Sequence, residues 1–189
     1  MRIVLASASP RRKWLLEGAG YTVTCEVSGA EEIEDLSFSP SALALENAWR
    51  KARPVAAKFP GETVVAADTV VALEGRFFGK PASPDDAFRM LTELSGRTHE
   101  VVTGVALCRP HQPETSFAAS SLVTFRPLRE EGIRAYLAEI HPYDKAGGYA
   151  AQDDGGRIIA GIEGSVTNVI GLPLERLGEV LGRPGVRSA

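Results

Sequence analysis

The sequence predicts a fold of alternating strands and helices, and three observations predict it. Short apolar runs rich in valine, alanine and isoleucine recur along the chain, the first at Ile3-Val4-Leu5. Ser9-Pro10, Ser39-Pro40 and Ser83-Pro84 each stand before a stretch that reads as a helix, as a capping serine followed by proline in the first helical position should. Two longer runs, 99–108 and 115–125, are joined by Arg109-Pro110-His111-Gln112-Pro113. The Ser/Thr alternation of the second suits an antiparallel partner with one polar face.

The first element sets up a binding junction. Ile3-Val4-Leu5 reads as a buried strand, and the small residues Ala6-Ser7-Ala8-Ser9 that follow keep no ligand away from the backbone. Pro10 opens a helix whose apolar side is Trp14, Leu15 and Leu16. Such a junction aims free N–H groups and a positive dipole end at one spot. Arg11 and Arg12 in the first turn are unfavourable for the helix itself. They make sense if an anion sits between them, since guanidiniums fork onto phosphate oxygens. Two solvated arginines are the alternative. The Gly-x-x-x-x-Gly-Lys phosphate loop is missing.

Composition narrows the classes. With 189 residues, 44% hydrophobic and 24% charged, the chain is long enough for one domain spanning 1–189 with a proper core. A formal charge of −3 argues against a general nucleic-acid binder. Phosphate binding must then rest on a local cationic cluster helped by a metal ion. Cys25 and Cys108 lie in strand-like runs without metal spacing and are expected to be reduced core residues. No signal-peptide pattern and no run of membrane-spanning length is present, so a cytoplasmic chain without membrane contact is expected.

Gly18 and Gly20 close the first helix, and 21–27 reads as a second strand. Residues 28–35 form an acidic loop holding Glu31, Glu32, Glu34 and Asp35. It is either a solvated loop or the source of a carboxylate for a hard divalent cation. The helix from Pro40 carries Asn47 and Lys51 on one face and the pair Glu46 and Arg50, four apart, on its surface. Pro54 is expected to kink it or end it near Ala52.

The run Thr63-Val64-Val65-Ala66-Ala67 leads into Asp68-Thr69 and on to Val70-Val71-Ala72-Leu73. An aspartate in a buried strand is costly unless paired. It is either satisfied by a neighbouring turn or a catalytic carboxylate with raised proton affinity or a metal partner. Glu74-Gly75 reads as a hairpin turn before Phe77-Phe78, and Gly79-Lys80-Pro81 holds a lysine in a rigid loop, solvated or reaching phosphate. The third Ser-Pro helix has Asp85 and Asp86 in its first turn and ends at Gly96. A further helix spans 130–140, a strand 158–162 and a last helix from Pro173 to about Leu181, with a frayed tail over 183–189. Between them, Asp144-Lys145, Gly147-Gly148 and Gln152, whose amide can recognise a base edge, mark either plain turns or a lined pocket. The three histidines are scattered and form no metal site.

In order and spacing, LASASPRR, Glu31-Glu32, ENAWRKA, AADTVV, GKP, HEVVTGV, DKAGGYAAQ and GSVTNVIGLPL resemble the Maf family of nucleoside triphosphate pyrophosphatases over nearly the whole length. The resemblance implies an α/β fold like that of inosine triphosphate pyrophosphatases: an elongated twisted mixed β-sheet flanked by helices, in two lobes with a central cleft. It implies a divalent metal, Mg²⁺ or Mn²⁺, a homodimer, and a nucleoside triphosphate as substrate. By the same likeness Asp68 is the catalytic base, Ser7, Arg12, Lys51 and Lys80 face phosphate, and Glu32 joins Asp68 at the metal. Arg11, Thr69 and Gln152 stand where substrate branches differ and look like the dTTP/UTP branch. A methylated-GTP or other purine pyrophosphatase, or a nucleotide-sensing regulator without turnover, are the rival expectations. Val166-Thr167 departs from the family's aromatic-serine pair.

Overall fold

The computed structural model describes residues 1–35 and 37–182. The expected tail over 183–189 lies outside the described residues. The described strands are β1 (Arg2–Leu5), β2 (Thr22–Cys25), β3 (Val64–Leu73), β4 (Arg76–Phe78), β5 (Thr98–Cys108), β6 (Thr115–Phe125) and β7 (Ile159–Glu163). The α-helices are α1 (Pro10–Gly18), α2 (Pro40–Lys58), α3 (Pro84–Leu94), α4 (Glu130–Glu139), α5 (Val166–Ile170) and α6 (Leu174–Val180). Single helical turns at Pro142–Asp144, Ala146–Gly148 and Ala151–Asp153, and the short α5, add to what the sequence predicts. No described helix is long and apolar enough to cross a membrane.

The strands form one mixed sheet in the order β2-β1-β3-β5-β6-β7, with β4 paired to β3. β1 runs parallel to β2 and β3, and the remaining pairs are antiparallel. β1 pairs with β3 only at Val64 and Val65, and β4 returns only at Val71 to Leu73. Between these contacts, on that edge, the ladder has a gap, and Asp68 and Thr69 sit in it.

Because side chains alternate across a strand, β3 feeds two faces. Val64, Ala66, Val70 and their neighbours Val4, Ala106 and Val102 pack under α2, through Ala48, Ala52, Val55, Leu43 and Ala44. On the other face Val65 and Ala67 join Leu15 and Leu16 of α1, Leu172 between α5 and α6, and Leu177 of α6. Farther along that face, Val71 and Leu73 join Leu91, Leu94, Ile133 and Tyr136 of α3 and α4. These two apolar clusters are the two lobes, and the level of Thr69 separates them.

Ser39 and Ser83 cap their helices, accepting from Ala42 N (3.2 Å) and Asp86 N (3.1 Å). Ser9 occupies the cap position of α1 but its side chain makes no capping bond. Three expectations need correction. α2 does not end near Ala52 but continues past Pro54 to Lys58. Pro54 and Arg50, whose carbonyl loses its helical donor, are exposed, while Ala52 and Val55 are held against the sheet, so the lost bond falls on the solvent side and packing carries the helix. Trp14 is 58% exposed, leaving Leu15 and Leu16 as the buried side of α1. Cys25 is exposed and Cys108 half-buried, both free, because edge strand β2 lies open and β5 ends at Cys108.

Candidate active site

The gap in the ladder opens into a cleft of about 800 Å³, within the range of small-molecule sites. Its walls are the β1–α1 turn, the acidic loop, α2, the middle of β3, the loop after β4 and the turns from Tyr143 to Gln152. Ser7, Arg11, Arg12, Glu32, Lys51, Asp68, Thr69, Lys80 and Gln152 all line it.

Asp68 is 8% exposed and faces α2. Lys51 Nζ donates to its Oδ1 at 2.6 Å and Asn47 Nδ2 to its Oδ2 at 3.2 Å. Asn47 is itself locked onto the acidic loop, accepting from Ile33 N at 2.8 Å and donating to Ile33 O at 3.1 Å. The buried carboxylate is therefore satisfied by α2, four residues apart on one helical face, rather than by a neighbouring turn.

Lys51 Nζ also lies 2.6 Å from Glu32 Oε1, and Lys80 Nζ reaches Glu32 Oε2 at 3.1 Å. Burial pushes Glu32 up, but Lys51 and then Lys80 outweigh it and hold the carboxyl at about 2. Of the four acids in the loop, Glu32 and Glu34 turn to the cleft; Asp35 accepts from Ser37 N at 2.8 Å. The acidic loop is thus neither wholly solvated nor wholly functional.

On the other face of β3 a second cluster forms around Arg12. Its Nε donates to Gly171 O (2.9 Å), Nη1 to Ser7 Oγ (3.1 Å) and Nη2 to Thr69 Oγ1 (3.1 Å). Burial holds this guanidinium below its ordinary range, opposed by the charge of Asp68. Arg11 is drawn away from Arg12: it grips Asp144 through Nη1 to Oδ2 (2.6 Å) and Nη2 to the backbone oxygen (3.1 Å). Lys145 Nζ bonds the other Asp144 oxygen at 2.6 Å. Gln152 is exposed on the rim.

The sequence places Asn47 on one face with Lys51 but does not mark it as a partner of Asp68, and three further residues are not singled out. Gly104, inside a strand, signalled a close backbone approach. Thr103 and Asn168, both fully buried polar residues, carried none beyond being polar in apolar runs.

The lining cations are Arg11, Arg12, Lys51, Lys80 and Lys145, against the carboxylates Glu32, Glu34, Asp68 and Asp144. Five against four leaves little net charge for a ligand bearing several phosphates. Glu32 and Asp68 converge on one ammonium, so their hard oxygens are close enough to share one cation. Among the described residues no group of three His, Cys, Asp or Glu side chains gathers to hold a metal. That donor set fits Mg²⁺ or Mn²⁺, which takes one or two carboxylates and completes its shell with phosphate oxygens and water.

The family model described as Maf-like protein matches residues 2–183. A dTTP/UTP pyrophosphatase of Moorella thermoacetica is 47% identical over 186 residues, 98% of this chain and 96% of that protein. A dTTP/UTP pyrophosphatase of Akkermansia muciniphila is 43% identical over 186 residues, 98% of each. A solved HAM1 protein from Coxiella burnetii shares the fold at a TM-score of 0.54 and 16% identity, covering 96% of this chain and 98% of that one.

Proposed function

The chain belongs to the Maf-like family, and we propose that it hydrolyses dTTP and UTP to the nucleoside monophosphate and pyrophosphate. The observation that carries this reading is Asp68, a buried carboxylate in a gap of the ladder, held by Lys51 and Asn47 in the same cleft as Ser7, Arg12 and Lys80. The two named relatives, alike over nearly full length, support the pyrimidine substrates.

In this reading the triphosphate enters between the two lobes. Arg12, Lys51 and Lys80 hold its oxygens and stabilise the charge that develops as the α–β anhydride breaks. Ser7 steadies Arg12 on the phosphate side. Asp68 takes the proton of the attacking water, with Asn47 fixing the carboxylate plane. Glu32 and Asp68 would hold a divalent cation, which when bound neutralises phosphate charge and acidifies water. Arg11 and Gln152, which line the same cleft, would meet the nucleoside.

Product analysis on a panel of nucleoside triphosphates with Mg²⁺ or Mn²⁺ tests this. Pyrophosphate and monophosphate released from dTTP and UTP ahead of GTP and ATP are expected. Release from purine nucleotides alone would overturn the substrate, and tight binding without release would make the protein a sensor.

A further inference from the structure

The hydroxyl beside Asp68 has its bonding fixed from both sides. Arg12 Nη2 donates to Thr69 Oγ1 at 3.1 Å, and Thr69 Oγ1 lies 2.9 Å from Thr103 Oγ1. A guanidinium has donors only, so Thr69 is the acceptor toward Arg12. Thr103 Oγ1 gives its one proton to the Asn168 carbonyl at 3.1 Å, which leaves it an acceptor toward Thr69. The Thr69 proton therefore points at Thr103. The chain runs one way, from Arg12 through Thr69 and Thr103 to the Asn168 backbone.

Its far end is rigid. Thr103 and Asn168 are fully buried, and Asn168 Nδ2 donates to Val101 O (2.9 Å) and Ser121 Oγ (3.0 Å). The near end completes the hold on Arg12, whose other nitrogens go to Gly171 O and Ser7 Oγ.

We propose that Thr69 is a positioning residue for Arg12, with Thr103 as its support, and that it donates no hydrogen bond to the base. With its proton already given to Thr103, Thr69 cannot donate to a base carbonyl without breaking the chain. The residue at 69 acts on substrate through where it sets the Arg12 guanidinium, and so on the triphosphate common to all nucleotides. The inference rests on the proposed nucleotide site.

The test compares Thr69→Val and Thr103→Val with Thr69→Ser and Thr103→Ser, titrated calorimetrically with inorganic tripolyphosphate, UTP and GTP. Both valine variants are expected to weaken tripolyphosphate and UTP by a common factor on the order of tenfold, leaving the UTP-to-GTP ratio unchanged. Both serine variants, which keep the hydroxyl, are expected to restore binding. In an Arg12→Lys background, which lacks the fork, Thr69→Val should cost nothing further. Thr69→Val is partly exposed and keeps the test open if Thr103→Val fails to fold. Selective loss of UTP with tripolyphosphate binding unchanged, or no difference from wild type toward tripolyphosphate, would overturn the proposal. Tripolyphosphate binding reports on the positioning and pyrophosphate release on the reaction, so failure of one is separable from failure of the other.

Discussion

Gly104 stands directly opposite Asp68 in the β3–β5 ladder, and α2 crosses it so closely that a Cβ there would lie 2.4 Å from the Ala44 carbonyl carbon and 2.5 Å from Leu45 N. The missing side chain lets α2 settle on the sheet at the level of Asp68. Asn47 and Lys51, one and two turns farther along α2, then reach Asp68 by short side-chain bonds.

Gly104→Ala should therefore lift α2 from the sheet. Overpacking of this kind costs about 1–3 kcal/mol or more, since the obstruction is backbone and cannot rotate away. Thermal unfolding should show a lowered Tm, and turnover should fall further than the loss of folded protein explains. A variant matching wild type in both would refute the close-approach reading.

Much of this was legible in the sequence. The Ser-Pro helix starts, the Val-rich run around Asp68 and the small-residue turn after Leu5 each follow from local chemistry, and the structure places them as read. Pro54 was misread because the local rule counts a lost hydrogen bond, whereas Ala52 and Val55 anchor the helix through the sheet. Trp14 was misread because helical spacing says which residues share a face, not how wide the buried stripe is. The gap in the β3 edge could not be seen at all, because it depends on where β1 and β4 stop relative to a strand far from them in sequence.

Glu32 gives a pH signature. Its carboxyl lies at about 2 in the folded chain against an ordinary 4.5, so the folded state binds its proton less readily than the unfolded state. The stabilisation is complete above pH 4.5 and is lost as pH falls toward 2. The stability difference between wild type and Glu32→Gln should be constant above pH 5 and shrink below it. Denaturant titrations across that window check this, and a gap that widens on acidification would contradict it.

His99 gives a second, at higher pH. Its ring is 2% exposed, with Nε2 2.8 Å from Tyr149 Oη and Nδ1 without a partner among the described residues. Burial pushes it down from 6.5 to about 4. The unfolded state therefore takes up a proton first, and stability falls between pH 6.5 and 4, by on the order of 3 kcal/mol. His99→Phe should flatten that slope; a variant that keeps it would assign the slope elsewhere.

The Arg11–Asp144 bond joins α1 to the turn Pro142–Asp144 across the cleft. Arg11 is a fifth exposed in its side chain and Asp144 nearly half, so the pair should add little to stability. Asp144→Ala should leave Tm within about 2 °C of wild type. It removes the carboxylate that Arg11 and Lys145 share at the cleft and should change KM for UTP several-fold with a smaller effect on kcat. A loss in kcat at unchanged KM would place Asp144 in the chemistry instead.

The most direct measurement pairs nucleotide binding with turnover in Asp68→Asn. Asparagine keeps the size of the side chain and its bond from Lys51, but it cannot take a proton from water. UTP binding by calorimetry should stay within a few-fold of wild type while pyrophosphate release falls by about 10²–10⁴-fold, the range for loss of a general base. Release at the wild-type rate from this variant would contradict the assignment of Asp68 as the base.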